Sequence, residues 1–300
     1  MMKTLVAYSG GKDSQAALIW AIRESGLSNI EAVFCDTGWE HEATYKHIVE
    51  TTQELNVQLI TLKSKKYDGM VDLAKKKGRF PSTKARFCTE ELKTKPMIDY
   101  ILAQDDHVLV IQGIRAEESK SRALMRQSCT YFRYYYEPYK IDKKGKPRTH
   151  SYRKKDITRR RADGWADEVF RPCFNWTGGE VMSYIINAGM KPNPLYYQGA
   201  MRVGCYPCIM CGMKELKSIA EFNPAYIDRL KTAEAETGSI FFPPGYIPER
   251  ECRSTDPKTG VKIPSAGDIF RYISDKNITD DMFAEKDIDH RCMSFYGICE

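Results

Sequence analysis

Within the first 25 residues an apolar run, T-L-V-A-Y at 4–8, meets Ser9-Gly10-Gly11-Lys12-Asp13-Ser14 and then an apolar-periodic segment at 14–25. In that segment Ala17, Leu18, Ala21 and Ile22 share one helical face. A short buried strand that feeds straight into a helix is the first half of a βαβ unit, and this restricts the fold more than any other feature. The glycines permit the tight turn and let backbone amides approach a ligand closely. The helix start adds N–H groups without partners and a partial positive charge. With the Ser9 and Ser14 hydroxyls and the Lys12 ammonium, the turn is a nest for phosphate or sulfate. It is not the ATP-binding P-loop, because Val6 stands at the position of that motif's first glycine and Asp13 follows the lysine.

The alternation continues. Residues 30–35 (I-E-A-V-F-C) read as a strand, 41–55 as a helix, 57–62 as a strand, and 107–112 (H-V-L-V-I-Q) as a strand closed by Gly113. Thr89 is expected to cap a helix running to about residue 103, with Glu90 and Glu91 in its first turn. Strands separated by helices imply an α/β, Rossmann-like parallel sheet with helices on both faces. Ligands of such sheets sit at the carboxyl ends of the strands, where the glycine turn lies. Further on, 131–139 and 168–174 read as a hairpin with a charged stretch as its long loop, and 177–188 as a helix. From Gly204 the chain is rich in Cys, Pro and Gly, with helices near 215–222 and 224–237 and turns at 243–245 and 256–257. The expected division is an α/β domain over 1–200 and a smaller Cys-rich helical C-terminal region over 201–300.

No stretch approaches the roughly 20 apolar residues of a membrane span. The apolar run 5–8 is too short for a secretory signal, so the expected location is cytoplasmic, with no membrane partner. In that compartment ten cysteines are reduced thiols, metal ligands or redox groups rather than a disulfide framework. Cys205-Tyr-Pro-Cys208-Ile-Met-Cys211 spaces three thiols to grip one metal centre, zinc or iron–sulfur, or to form a structural zinc knot. Cys88 is the chosen fourth ligand, with Cys292 and Cys299 competing for that role or forming a redox pair. Cys35, Cys129, Cys173 and Cys252 are expected to be small buried hydrophobes.

The net charge of +6 is uneven. Residues 140–161 hold eleven Lys/Arg and two Asp, a local +9, which leaves −3 elsewhere. That segment can neutralise phosphates of tRNA or DNA, with Tyr152 and the tyrosines at 131–136 to stack bases; a solvated loop is the alternative.

S-G-G-K-D-S resembles the pyrophosphate loop of the adenine nucleotide α-hydrolase superfamily. F-C-D-T-G at 34–38, G-I-R-A-E-E-S-K-S-R at 113–122 and N-P-L-Y-Y-Q-G-A-M-R-V-G-C-Y-P-C at 193–208 narrow the resemblance to the phosphoadenosine phosphosulfate (PAPS) reductase family, over roughly residues 3–212. The resemblance implies a nucleotide site of Ser9, Gly10, Gly11, Lys12, Asp13, Ser14, Asp36, Thr37, Gly38, Gly113, Arg115, Glu118 and Arg122, with Lys12, Asp13 and Arg115 catalytic. Asp36 suits a ribose hydroxyl or a metal ion. Arg115 and Arg122 suit a bidentate grip on anionic oxygens, with Glu118 orienting one of them. The adenylyl-sulfate reductase branch places a cysteine at the position of Cys88 and pairs it with a later C-x-x-C around [4Fe–4S]. Here Phe87 replaces a second adjacent cysteine, and Cys211 is expected to stand in for it. The ATP pyrophosphatases of DNA phosphorothioate modification split one early and three later cysteines in a similar way. The Glu-Cys-Gly-Leu-His tail of PAPS reductases is absent.

Three activities follow as expectations. The first is sulfur transfer or sulfonucleotide reduction on PAPS, adenylyl sulfate or ATP, with a thiol reductant or sulfur-donor protein as partner. The second is an ATP pyrophosphatase, Mg-dependent, that adenylates tRNA or DNA for thiolation. The third is a nucleic-acid-binding regulator that keeps the nucleotide site as a sensor.

Overall fold

The computed structural model describes residues 2–256 and 259–275. In chain order it contains β1 (Lys3–Ala7), α1 (Lys12–Arg23), β2 (Ile30–Cys35), α2 (Glu42–Glu54), β3 (Gln58–Leu62) and α3 (Met70–Lys77). Next come α4 (Phe87–Thr89), a π-helical turn (Glu90–Thr94), α5 (Lys95–Leu102), β4 (Val108–Gln112), α6 (Lys120–Ala123) and β5 (Ser128–Thr130). Then follow β6 (Lys140–Ile141), β7 (Pro147–Arg148), α7 (Lys154–Ala162), β8 (Glu168–Phe170) and α8 (Gly178–Asn187). The C-terminal part has α9 (Met213–Phe222), α10 (Ala225–Thr237), β9 (Ser254–Thr255), β10 (Lys262–Ile263) and α11 (Ala266–Asp275).

Six strands form one sheet in the order β3-β2-β1-β4-β8-β5. All neighbours are parallel except β5, which runs antiparallel to β8 at the edge. Along the central strands adjacent residues face opposite cores. Leu5, Val33 and Val110 join the cluster under α5 and α7, while Val6, Phe34 and Ile111 join the one under α1, α2 and α8. A strand buried on both faces needs this unbroken apolar run rather than an alternating one. A third cluster packs Trp39, Tyr67 and Met70 against Leu216, Leu230, Phe242 and Ile269 from α9 to α11. From β1 the chain goes outward to β2 and β3 and then returns to β4 on the other side. The crevice of a doubly wound sheet therefore opens at the carboxyl ends of β1 and β4.

Four expectations need correction. Thr89 lies inside the helical run rather than capping it, with φ −62° and ψ −44°; the chain enters that helix two residues earlier. Residues 131–139 are not a strand: Ser128–Thr130 pairs with Glu168–Phe170, and Tyr131, Phe132 and Tyr135 turn inward as a packed 3-10 segment. The basic segment is not one long loop but a two-residue-per-strand hairpin, β6–β7, followed by helix α7. Cys129 is half-buried beside the Arg171 guanidinium, whereas Cys35, Cys173 and Cys252 are buried as expected.

Candidate active site

The turn after β1 is held by its own serines. The Ser14 hydroxyl donates to the Gly11 carbonyl at 3.0 Å and lies 3.2 Å from the Ser9 hydroxyl. Gly10 has φ +80°, and a Cβ there would stand 2.9 Å from Ile48 Cγ1, so only glycine fits the turn against α2. Gly113, just past β4, presses on the start of α1: an added Cβ would lie 2.3 Å from the Asp13 carbonyl carbon. The Asn193 side-chain amide closes the other side, donating to the Gly10 carbonyl and to Thr44 Oγ1, each at 3.2 Å.

Lys12, Asp13 and Arg115 meet at the helix start. Arg115 Nε donates to Asp13 Oδ1 at 2.5 Å, its Nη1 donates to Glu117 at 2.6 Å, and Lys12 Nζ stands 3.4 Å from Asp13 Oδ2. Both Asp13 and Arg115 are buried. Burial pulls the Arg115 pKa down, but the Asp13 carboxylate outweighs it, so the guanidinium is held above its ordinary range. Arg122 turns inward, 2% exposed, onto the Glu118 carboxylate, which also accepts the Arg115 N–H at 2.9 Å. Glu118 thus holds the Arg122 side chain and the Arg115 backbone, while the Arg115 side chain reaches Asp13 at the helix start.

At the end of β2, Asp36 Oδ1 accepts from Tyr45 OH at 2.7 Å and from the Gly38 N–H at 2.8 Å, with Lys63 Nζ 3.2 Å from Oδ2. Burial raises the Asp36 pKa, and the bond from Tyr45 and the other donors more than reverse this, leaving it below the ordinary value. Thr37 and Gly38 lead from Asp36 to Glu40, a buried carboxylate missed by the sequence reading, two residues past the quoted F-C-D-T-G run. Glu40 accepts from Thr37 Oγ1 at 2.7 Å, Thr37 N–H at 3.2 Å, Trp39 N–H at 3.1 Å and Tyr45 OH at 3.0 Å.

The thiol segment docks on this same loop. Glu40 and Cys205 form a backbone bridge, the Tyr206 N–H donates to the Trp39 carbonyl at 2.8 Å, and Trp39 Nε1 donates to the Pro207 carbonyl at 3.0 Å. Cys205 Sγ lies 3.5 Å from Thr37 Oγ1. Cys88, Cys205 and Cys208 line one small cavity, of about 20 Å³, with Thr37, Arg86, Lys93 and Arg202. Cys205, Cys208 and Cys211 line the adjoining one. Burial pushes the Cys88 thiol up to about 11 and the Cys205 thiol up to about 12, and it raises Cys211 well above its ordinary value. Among the described residues no group of three or more His, Cys, Asp or Glu side chains stands arranged to hold a metal ion. Cys292 and Cys299 lie outside the described residues.

Sequence reading also missed Arg86, Lys93 and Arg202. Lys93 is 5% exposed in the π-helical turn between α4 and α5, an irregularity that often marks a functional position. The Arg86 Nη1 atom is buried and has no hydrogen-bond partner. A buried cationic donor without an acceptor is costly unless an anionic group meets it. Three thiols, Cys88, Cys205 and Cys208, share the cavity of that donor, with Cys211 in the adjoining one, and in donor chemistry such a set fits a thiolate-bound metal group of net negative charge. Tyr196, quoted in N-P-L-Y-Y-Q but given no role, accepts the Lys12 N–H on its hydroxyl at 3.0 Å, with Lys12 Nζ 5.1 Å from its ring centre.

The model of the phosphoadenosine phosphosulfate reductase domain matches residues 3–211. An uncharacterized 37.8 kDa protein in the gpa 5′ region of Escherichia phage 186 is 31% identical over 300 residues, covering 82% of this chain and 80% of its own. An uncharacterized protein of Methanocaldococcus jannaschii is 30% identical over 73% of this chain, which spans only 39% of that protein's length. Among solved structures, the phosphoadenylyl-sulfate reductase of Candida auris in its phosphate complex aligns with a TM-score of 0.44 at 15% identity, over 69% of this chain and 81% of that one. The Candida glabrata FMN adenylyltransferase with FAD and inorganic pyrophosphate aligns at 0.41 and 14% identity, over 68% and 54%.

Proposed function

We propose, for a chain that belongs to the phosphoadenosine phosphosulfate reductase domain family, that it is an enzyme binding an adenine nucleotide over the Ser9–Ser14 turn for sulfur chemistry. The observation that carries this reading is one of position. The glycine turn, the Arg115–Asp13 pair and the Thr37–Cys205 contact all gather at the carboxyl ends of β1, β4 and β2. A phosphosulfate lying on the helix start meets the Lys12 ammonium and the Arg115 guanidinium at its charged oxygens. Asp13 keeps Arg115 fixed there, so its charge needs no reorganisation when the leaving phosphate gains negative charge.

In the reductive form a thiolate attacks the sulfate sulfur and an S–S bond forms. The bond from that sulfur to the phosphate oxygen breaks, and the nucleotide leaves with the electron pair. A second thiol, from a thiol reductant protein, then attacks the cysteine sulfur; sulfite departs and a disulfide remains. Cys88, Cys205, Cys208 and Cys211 would hold a [4Fe–4S] cluster, or zinc in its stead. Such a group would supply positive electrostatic potential to the anionic substrate and a counter-charge for Arg86. Glu40 and Thr37 keep Cys205 in position.

A second reading has its own support. Lys12 and Asp13, side by side on the turn, suit an ATP pyrophosphatase that uses Mg, with Asp36 near the strand tip, to adenylate tRNA or DNA for thiolation.

One experiment separates them. The protein is incubated with PAPS or adenylyl sulfate plus thioredoxin while sulfite is followed, and with Mg–ATP with and without RNA or DNA while pyrophosphate is followed. Sulfite supports the first reading; pyrophosphate released only with nucleic acid supports the second; neither product leaves a nucleotide sensor and removes both. Lys12→Ala should abolish turnover in whichever assay responds, and unchanged turnover takes the turn out of the mechanism.

A further inference from the structure

We propose that the cavity between α7 and the β5 edge of the sheet binds single-stranded nucleic acid. Its volume is about 560 Å³, in the size range of small-ligand sites, and its walls combine arginines with aromatic rings; its two carboxylates, Glu137 and Asp167, are paired with Arg133 and Arg160. Two rings are pinned. The Arg160 guanidinium lies 4.4 Å from the Trp165 ring centre, and the Arg161 guanidinium lies 4.2 Å from that of Tyr136. Arg160 is itself immobile. It is 4% exposed, donates to both Asp167 oxygens at 2.7 and 2.8 Å, and donates to the Gln104 carbonyl at 2.8 Å. The Tyr136 hydroxyl donates to the Ile157 carbonyl at 3.3 Å. Rings held by cations lose little freedom when a base stacks on them.

Arg126 and Arg161 stand exposed at this cavity. Further exposed cations lie on α7, at Lys154, Lys155 and Arg159, and in the turn between β6 and β7, at Lys143, Lys144 and Lys146. Such cations are partners for the phosphates of a strand, and the rings in the cavity are stacking positions for its bases. Stacking inside a cavity demands unstacked bases, which a single strand offers and a duplex hides. An acidic polypeptide would use the charge but not the rings.

The site is separate from the nucleotide turn. Asp167 precedes β8 and accepts the Val108 N–H at 3.0 Å, so the cavity floor sits at the amino ends of β4 and β8, opposite the Ser9–Ser14 turn. The inference therefore stands or falls independently of the reaction proposed above.

Fluorescence anisotropy with end-labelled strands of about 20 nucleotides tests it. Single-stranded RNA, single-stranded DNA and the duplex of the same sequence are compared on the full chain. Either single strand should bind at least ten-fold more tightly than the duplex, and the RNA and DNA arms identify the strand. Arg126→Glu/Arg161→Glu should weaken binding at least ten-fold and flatten the log–log salt slope by about 1.4. Trp165→Leu should weaken it by about ten-fold, within the stacking range. Arg250→Glu, a charge reversal at an exposed site elsewhere, should change nothing. The two reversed arginines are exposed, so the test does not rest on the half-buried tryptophan alone. Absence of single-strand binding at low salt overturns the proposal. So do duplex affinity equal to or above that of the strand, an equal loss in Arg250→Glu, displacement of the strand by AMP alone, and polyglutamate binding with the same dependence on the variants.

Discussion

Arg115, leaving the carboxyl end of β4, places its Nε 2.5 Å from the Asp13 carboxylate at the start of α1, so the two halves of the crevice are joined by one buried ion pair. Removing one partner strands the other as an unpaired buried charge, at a cost of about 3–5 kcal/mol. Arg115→Ala should lower the urea unfolding free energy by about that much and weaken nucleotide binding. Asp13→Leu/Arg115→Leu should recover much of the stability and none of the binding. Calorimetry on the single and double variants checks both halves of this expectation.

Gly113→Ala pushes a methyl carbon into the backbone of Asp13 and Ser14, where contacts of 2.3 to 2.4 Å leave no room. Backbone cannot swing aside as a flexible side chain can, so the helix start must move. A loss of nucleotide affinity of at least ten-fold, or failure to fold, is expected. Gly179→Ala, whose new carbon meets only Thr177 Oγ1 at 4.0 Å in the first turn of α8, should be neutral or slightly stabilising. Side-by-side melting and binding curves decide it.

Purified without oxygen, the protein should be brown, with absorbance near about 400 nm from a cysteine-bound iron–sulfur cluster. Cys88→Ser and Cys208→Ser should each lower metal content, whereas Cys173→Ser, at a buried thiol packed under α1 and α8, should leave it unchanged. A colourless protein carrying zinc would reassign the group, and a protein that takes up neither metal would end the metal reading.

His47 is buried on α2, with Nε2 3.2 Å from the Gln15 side-chain oxygen. Burial holds its pKa down at about 4, against 6.5 in the unfolded chain. Between those values the unfolded chain takes up a proton that the folded protein refuses. Stability is therefore full above pH 6.5 and falls as pH drops towards 4, by up to about 3 kcal/mol from this one group. His47→Gln should flatten that part of the profile in urea titrations at stepped pH. An unchanged slope would place the acid sensitivity elsewhere.

The Tyr196 hydroxyl sits on the Lys12 amide, one of the donors that an anion at the helix start would use. Tyr196→Phe frees that amide. Binding of adenosine phosphates should tighten by about two- to ten-fold, the worth of one neutral hydrogen bond. Weaker binding would show instead that the phenol helps to shape the site.

The sequence alone determined the layered α/β sheet, the turn after β1 and the cysteine triplet. Each is written in local terms: an apolar run of strand length, glycines where the backbone must turn, and thiols at ligand spacing. It misplaced Thr89 and residues 131–139 because a cap and an aromatic strand have the same local composition as a helix interior and a packed 3-10 segment. The grouping of Cys88 with the triplet came from a family resemblance, but only tertiary structure decided that Lys93 and Arg86, over a hundred residues before Cys205, share its cavity, and that Glu40 ties the thiol segment to the end of β2. Those contacts depend on which loops the sheet order brings to the same strand ends, and strand order is set by packing across the whole core rather than by any one stretch of chain.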